Sequence, residues 1–281
     1  MYWGRFTEHG RTFDSAAGIL EARVTGSKIE TGLSSWPESI KENWLLVDKS
    51  FVLPRVIENG NPIIVTRPRR SGKTMFLSMS EDFFEVPRGE TLDEKKARYR
   101  DMKIGDIPGF IDEHCGRRLP EIDKKVKESN KVLSALKAEF DEKSKLMKTD
   151  ITSCTGILKS LVQFLNAYHG RACILLIDEF DAPILDASKD NRDTIKCHIR
   201  DMLSPVVKPG IERLLSKCIM VGVKAINPTE LGFGLDNFTA LPLHYASQEP
   251  YTDNLLELGN MPYQVAFGFT EDEVRKLIAT H

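Results

Sequence analysis

The stretch Ile63-Ile64-Val65-Thr66-Arg67-Pro68-Arg69-Arg70-Ser71-Gly72-Lys73-Thr74 decides how the rest of this chain is read. Four β-branched residues in a row are the pattern of a short strand buried on both faces. A basic turn containing Pro68 follows. Gly72-Lys73-Thr74 then leads into Phe76, Met79 and Phe83, spaced as one face of a helix that Pro87 ends. A strand that passes through a glycine turn into a helix is a phosphate cradle. The backbone N–H groups of the turn converge, and the helix N-terminus adds the positive end of its dipole. In that reading Lys73 reaches the β- and γ-phosphates of ATP, and the Thr74 hydroxyl holds Mg2+. Arg69, Arg70, Ser71 and Gly72 form the rest of the cradle, although a solvated basic turn explains the two arginines equally well. The tripeptide alone is weak evidence, since it arises by chance in roughly one chain in ten of this length. The full Walker A pattern also has glycine where this chain has Arg67.

About a hundred residues further on, Ile174-Leu175-Leu176-Ile177-Asp178-Glu179 places four aliphatic residues before two acids, a Walker B pattern. Acids at the C-terminal end of a buried strand need a reason to be there. Beside a phosphate loop, Asp178 orders the Mg2+ shell and Glu179 polarises the attacking water. A solvent-exposed acidic turn after a core strand is the plainer explanation of that motif alone. Together the two motifs indicate an ATP site with Lys73 and Glu179 as the catalytic pair, and Thr74 and Asp178 as the Mg2+ ligands. An acid after the magnesium aspartate favours hydrolysis over transfer to a hydroxyl, which places a kinase third among the readings.

Outward from these motifs, 172–177 and 218–223 read as buried strands. Ile157, Leu158, Leu161, Val162, Leu165 and Tyr168 form one helix face that Gly170 stops, and Ile195, Ile199 and Leu203 mark another helix. Strands alternating with helices predict an α/β fold, a mainly parallel sheet with helices on both faces. Residues 1–40 have little periodicity and are expected to be a poorly ordered leader. The core is expected over 41–245, interrupted by a Lys- and Glu-rich helical arm over 118–150. Thr270 and Glu273 predict a capping box that starts a helix near the end of the chain, and 246–281 read as the truncated beginning of a helical lid. Asp48 and Lys49 are candidates for a place near the adenine. Asp181 is read as a turn cap rather than a member of the Mg2+ shell.

The 281 residues are 28% charged and 41% hydrophobic, with a formal net charge of −2. That balance argues against a protein dedicated to coating nucleic acid. The five cysteines are odd in number and widely spaced, as free thiols in a reducing compartment are, and no zinc spacing occurs. The longest clean apolar run, 172–177, is far short of the ~20 residues of a membrane span. A soluble intracellular protein, cytoplasmic or nuclear, with no membrane contact is expected.

Val47-Asp48-Lys49-Ser50, then Thr66-Arg67-Pro68-Arg69-Arg70-Ser71-Gly72-Lys73-Thr74, Leu176-Ile177-Asp178-Glu179-Phe180-Asp181-Ala182-Pro183 and Phe267-Gly268-Phe269-Thr270 resemble the successive fingerprints of the predicted AAA-ATPase-like family. The resemblance runs from about residue 45 to the end, and it accounts for Arg67-Pro68 where a glycine is absent. It implies an ASCE-type P-loop NTPase fold, a three-layer sandwich, often followed in relatives by a nuclease-like domain. Three positions depart from the pattern. Ser71 replaces an aromatic residue. Val221 stands where a polar residue senses the γ-phosphate, and Ala225 where relatives have arginine, with Lys224 as a substitute. After His114-Cys115-Gly116 the chain moves into charged residues where relatives have a strand, so one family strand is expected to be missing. The function implied is ATP binding with Mg2+-dependent hydrolysis, driving a switch for an attached or partner effector, protein or nucleic acid. The alternative is a degenerate nucleotide-binding or interaction module without turnover.

Overall fold

The computed structural model describes residues 24–26, 28, 32–58, 61–87, 89–116, 130–149, 155–208, 210, 213–224, 239–241, 267–269 and 271–279. Six strands occur among them: β1 (Val24–Thr25), β2 (Leu46–Val47), β3 (Ile63–Thr66), β4 (Cys173–Ile177), β5 (Leu215–Gly222) and β6 (Thr239–Leu241). β1 and β2 make a small antiparallel pair, with Val24 opposite Val47. The other four form one all-parallel sheet in the order β4-β5-β3-β6. The expected α/β class with a parallel sheet is therefore what the chain adopts.

Alternation along the central strands sorts the core into two halves. Ile63 and Val65 of β3, with Ile219 and Val221 of β5, face a large core. The helix Lys73–Phe84 supplies Phe76, Met79 and Phe83 to it, and Tyr99, Ile104, Phe110 and Trp36 complete it. Ile64, Cys218 and Met220 face the other way, onto Leu203, Val206 and Val207 of helix Arg192–Val207 and onto Val162 of helix Ile157–His169. Helices thus cover both faces, as the near-continuous apolar runs of parallel strands require.

Several elements lie where the sequence pattern was weak. Helix Trp36–Lys41 forms inside the stretch expected as leader. Ser35 caps it, Pro37 sits in its first turn, and the buried Trp36 donates its backbone N–H to Ser78 Oγ at 2.9 Å on helix Lys73–Phe84. Trp36 enters the core and Ile40, one helical turn on, packs against it. Thr91 and Glu94 form a reciprocal capping box that starts helix Leu92–Arg100. That helix delivers Tyr99 to the core, where its hydroxyl donates to Asp82 Oδ2 at 2.5 Å. Burial and the neighbouring Asp82 raise the Tyr99 pKa well above its ordinary value. The charged helix runs Asn130–Thr149 and lies against Ile157–His169, where Lys143 donates to both Glu139 and Ser160.

The strand expected to be missing would fall after Gly116, and residues 117–129 lie outside the described residues. Thr270 lies outside them as well. Helix Glu271–Ala279 is present, and its Glu273 side chain pairs with Lys49. The four described cysteines, Cys115, Cys173, Cys197 and Cys218, are free. Burial pushes the Cys115 thiol up to about 11 and that of Cys218 up to about 12, so both stay protonated. Among the described residues no helix is long and apolar enough to cross a membrane.

Candidate functional site

β3, β4 and β5 are parallel, so their C-terminal ends open onto one edge of the sheet, where ligands bind in open α/β folds. The loop leaves β3 at Arg67, whose backbone N–H donates to Gly222 O at 3.1 Å on β5. Arg69 and Arg70 are exposed on the turn, and Arg70 has φ +65°. Gly72, at φ +85°, caps helix Lys73–Phe84 without any side-chain bond. Among the described residues no side chain caps the first-turn N–H groups, an arrangement in which an anion could be held.

Lys73 is 7% exposed and folds back into its own loop, donating to Arg67 O at 3.1 Å and Pro68 O at 2.8 Å. Burial lowers its pKa, Asp178, Asp181 and Glu179 pull it back up, and Arg69 pushes it down again. That balance shows which charges surround the ammonium: three carboxylates from the end of β4 and one guanidinium from the loop.

Thr74 Oγ1 donates to Asp178 Oδ2 at 2.6 Å, joining residues 104 positions apart. The other oxygen, Asp178 Oδ1, accepts the Glu179 N–H at 2.9 Å. Glu179 is exposed and has φ +49°, a region that costs a non-glycine residue roughly 1–3 kcal/mol. Of the three non-glycine residues with positive φ among the described residues, Arg70 and Glu179 are in this site. The hydroxyl of Thr74 and the carboxylate of Asp178 are hard oxygen donors. They suit an ion such as Mg2+, which takes one or two protein oxygens and fills its remaining positions with phosphate and water. Among the described residues no three His, Cys, Asp or Glu side chains converge to cage an ion by themselves.

The chain after the acid pair is pinned to the end of β5. Phe180 donates its N–H to Val221 O at 3.2 Å and buries its ring in the second core. Asp181 is 1% exposed, and its Oδ2 accepts N–H bonds from Val223 at 2.9 Å and Lys224 at 2.6 Å. A Cβ on Gly222 would come 2.5 Å from Asp181 Oδ1 and 2.7 Å from Phe180 Cε1, so only glycine lets the strand end approach this closely. The contact's only trace in the sequence is a glycine between Val221 and Val223, which does not name its partner. Val221 is wholly buried in the sheet, Lys224 is exposed just beyond it, and Ala225 lies outside the described residues.

Two candidates for the adenine are occupied otherwise. Asp48 is 1% exposed, and its two oxygens accept backbone N–H groups from Ser50 at 2.8 Å and Lys103 at 2.7 Å. With Ser50 Oγ accepting from Ile104 N–H at 3.0 Å, it staples the 3-10 turn Lys103–Asp106 to the end of β2. Lys49 is ion-paired with Glu273. The motif Val47-Asp48-Lys49-Ser50 is thus a structural joint, invisible from local sequence because its partners lie 54 to 224 residues away.

Neither the curated proteins nor the solved structures contain a significant match to this chain. A family model described as predicted AAA-ATPase matches residues 30–232, more than two thirds of the chain. That span contains the loop, the acid pair and the strand between them, and the chain belongs to the predicted AAA-ATPase family.

Proposed function

We propose that the chain binds ATP with Mg2+ at Gly72-Lys73-Thr74 and hydrolyses it through Glu179, as an ASCE-type P-loop NTPase whose nucleotide state switches an attached or partner effector. The observation that carries the reading is the 2.6 Å contact between Thr74 and Asp178. Two motifs read separately in the sequence place their oxygen donors at one point, beside the buried Lys73. ATP and Mg2+ supply the phosphoryl group and the cation that screens its charge. The Lys73 ammonium exchanges the Arg67 and Pro68 carbonyls for phosphate oxygens, and the first-turn N–H groups of its helix hold the same anion. Thr74 Oγ1 and Asp178 give their oxygens to the cation. The exposed Glu179 carboxylate accepts the proton of the attacking water.

A titration with ATP, with and without Mg2+, tests this. Lys73→Ala is expected to lower affinity by about two orders of magnitude, because it removes the main charge facing the phosphates. Asp178→Asn is expected to weaken only the Mg2+-dependent part. Equal binding by wild type and Lys73→Ala overturns the site.

A second reading, in which binding outlasts turnover, is favoured by Val221. The position expected to sense the γ-phosphate carries an apolar side chain, fully buried in the sheet. Phosphate release at saturating ATP and Mg2+ slower than about 1 s⁻¹, the low end for typical enzymes, supports this reading. Faster sustained release restores a full ATPase.

A further inference from the structure

Phe267-Gly268-Phe269 lies almost two hundred residues beyond the phosphate loop, yet it packs directly on it. Gly268 donates its N–H to Ser71 O at 2.8 Å, from a left-handed backbone at φ +81°. The Phe267 ring is 7% exposed and meets Phe76, in the first turn of the loop helix, edge to face with centroids 5.2 Å apart. On the loop's other flank, the Arg67 guanidinium lies 5.9 Å from the Phe267 centroid. The strap therefore touches the loop at its entry, its apex and the start of its helix. Its far end is tied down too. Glu273, 6% exposed, pairs with Lys49, next to the Asp48 and Ser50 joint on the 3-10 turn. Inside this contact the Ser71 hydroxyl is buried without a hydrogen-bond partner among the described residues. That polar group costs free energy in the strapped loop, so other contacts must offset it.

We propose that Phe267 and Gly268 are positioning residues for the phosphate loop: the strap they form holds Arg67, Ser71 and Phe76 in one arrangement, so that loop order and docking of helix Glu271–Ala279 are a single equilibrium. This deepens the nucleotide-site reading and rests on it for its consequence, which is affinity. A loop that must be ordered before it can bind loses affinity in proportion to the fraction left unstrapped. The strap acts through the loop, and anything that moves the C-terminal helix changes nucleotide affinity.

Hydrogen–deuterium exchange on the full chain without nucleotide reads the loop directly, and an ATP·Mg2+ titration reads the consequence. Phe267→Ala is expected to speed amide exchange over 69–75 at least tenfold, leave the β5 amides at 219–221 unchanged, and raise the ATP Kd at least fivefold. Gly268→Ala keeps the ring and meets no atom within 4 Å, but strains the left-handed backbone. It is expected to move both readouts the same way, about fivefold for exchange. Gly268→Asn, which tolerates that region better, is expected to return most of the difference. The proposal is overturned if Phe267→Ala is folded and its loop exchanges as in wild type, or if the β5 amides accelerate as much as the loop. Should Phe267→Ala fail to fold, the glycine pair decides: equal loop exchange in wild type, Gly268→Ala and Gly268→Asn overturns it. Wild type that binds no ATP removes the nucleotide reading, and loop exchange still tests the strap.

Discussion

The strand that carries the Gly72-Lys73-Thr74 loop and the strand that carries the acid pair are separated by one strand, and the two are held differently. Every residue of β3 is buried, from Ile63 at 0% to Thr66 at 6% exposed, and β3 pairs with β5 on one side and β6 on the other. Its two faces feed two cores. All five residues of β4 are only half-buried, and among the described residues β4 pairs with β5 alone. One half of the candidate site is thus built on a strand buried along its whole length, and the other on a strand that is an edge among the described residues. The edge is compensated locally. Phe180 and Asp181 tie the chain after the acid pair to the end of β5, which also receives the loop through the Arg67 N–H. The end of β5 is the common reference that keeps Asp178 opposite Thr74.

If the loop half governs binding and the acid half governs turnover, their variants separate cleanly. Glu179→Gln is expected to lower phosphate release by 10²- to 10⁴-fold, the usual worth of a general base, with ATP affinity within about threefold of wild type. Release at the wild-type rate would reduce Glu179 to a surface acid and remove the division of labour.

The next largest effect is on stability. Ile219→Ala empties a site that is 0% exposed in the larger core and is expected to cost about 3–5 kcal/mol. Leu175→Ala in half-buried β4 is expected to cost about 1–2 kcal/mol, since less apolar surface is lost. Urea midpoints with unchanged slopes measure both, and equal costs would break the comparison.

Asp181→Ala tests the clamp. It leaves the Val223 and Lys224 N–H groups without their acceptor, at an expected cost of about 2–3 kcal/mol. Because the clamp sets the acid half, turnover should fall more than affinity. The reverse ranking, from the same binding and release assays, would assign Asp181 to the loop half instead.

The smallest effect concerns Lys217, the β5 residue in register with Ile174 of β4. It is 3% exposed and donates to Asn61 O, and burial lowers its pKa to about 8. Below pH 8 both folded and unfolded states carry the proton, and the fold bears the cost of a buried ammonium. Between about pH 8 and the ordinary lysine value near 10.4, the unfolded state binds more protons, so this group's contribution to stability rises with pH. Lys217→Met has no such proton to lose. Its stability advantage over wild type should be about 1–2 kcal/mol at pH 7 and shrink toward pH 10, read by urea unfolding at each pH. An advantage that stays constant would show that Lys217 does not titrate in the fold.

Local patterns in the sequence were enough for the strand, loop and helix around Gly72-Lys73-Thr74 and for the aliphatic run ending in Asp178-Glu179. Periodicity and a short turn are properties of neighbouring residues. The same patterns were enough for the α/β class, because buried parallel strands are apolar throughout. Only the tertiary structure decided which polar groups meet. Thr74 and Asp178 are 104 residues apart, Asp48 and Lys103 are 55 apart, and Lys49 and Glu273 are 224 apart. Helix Trp36–Lys41 is only six residues long and depends on Trp36 and Ile40 meeting a core made by other elements. The requirement for glycine at 222 comes from Asp181 and Phe180, which lie 41 and 42 residues earlier in the chain. For Asp48, Lys49, Glu273 and Trp36 the reason is desolvation: a buried carboxylate, ammonium or ring is stable only where the returning chain supplies its partner. No window of adjacent residues contains that partner.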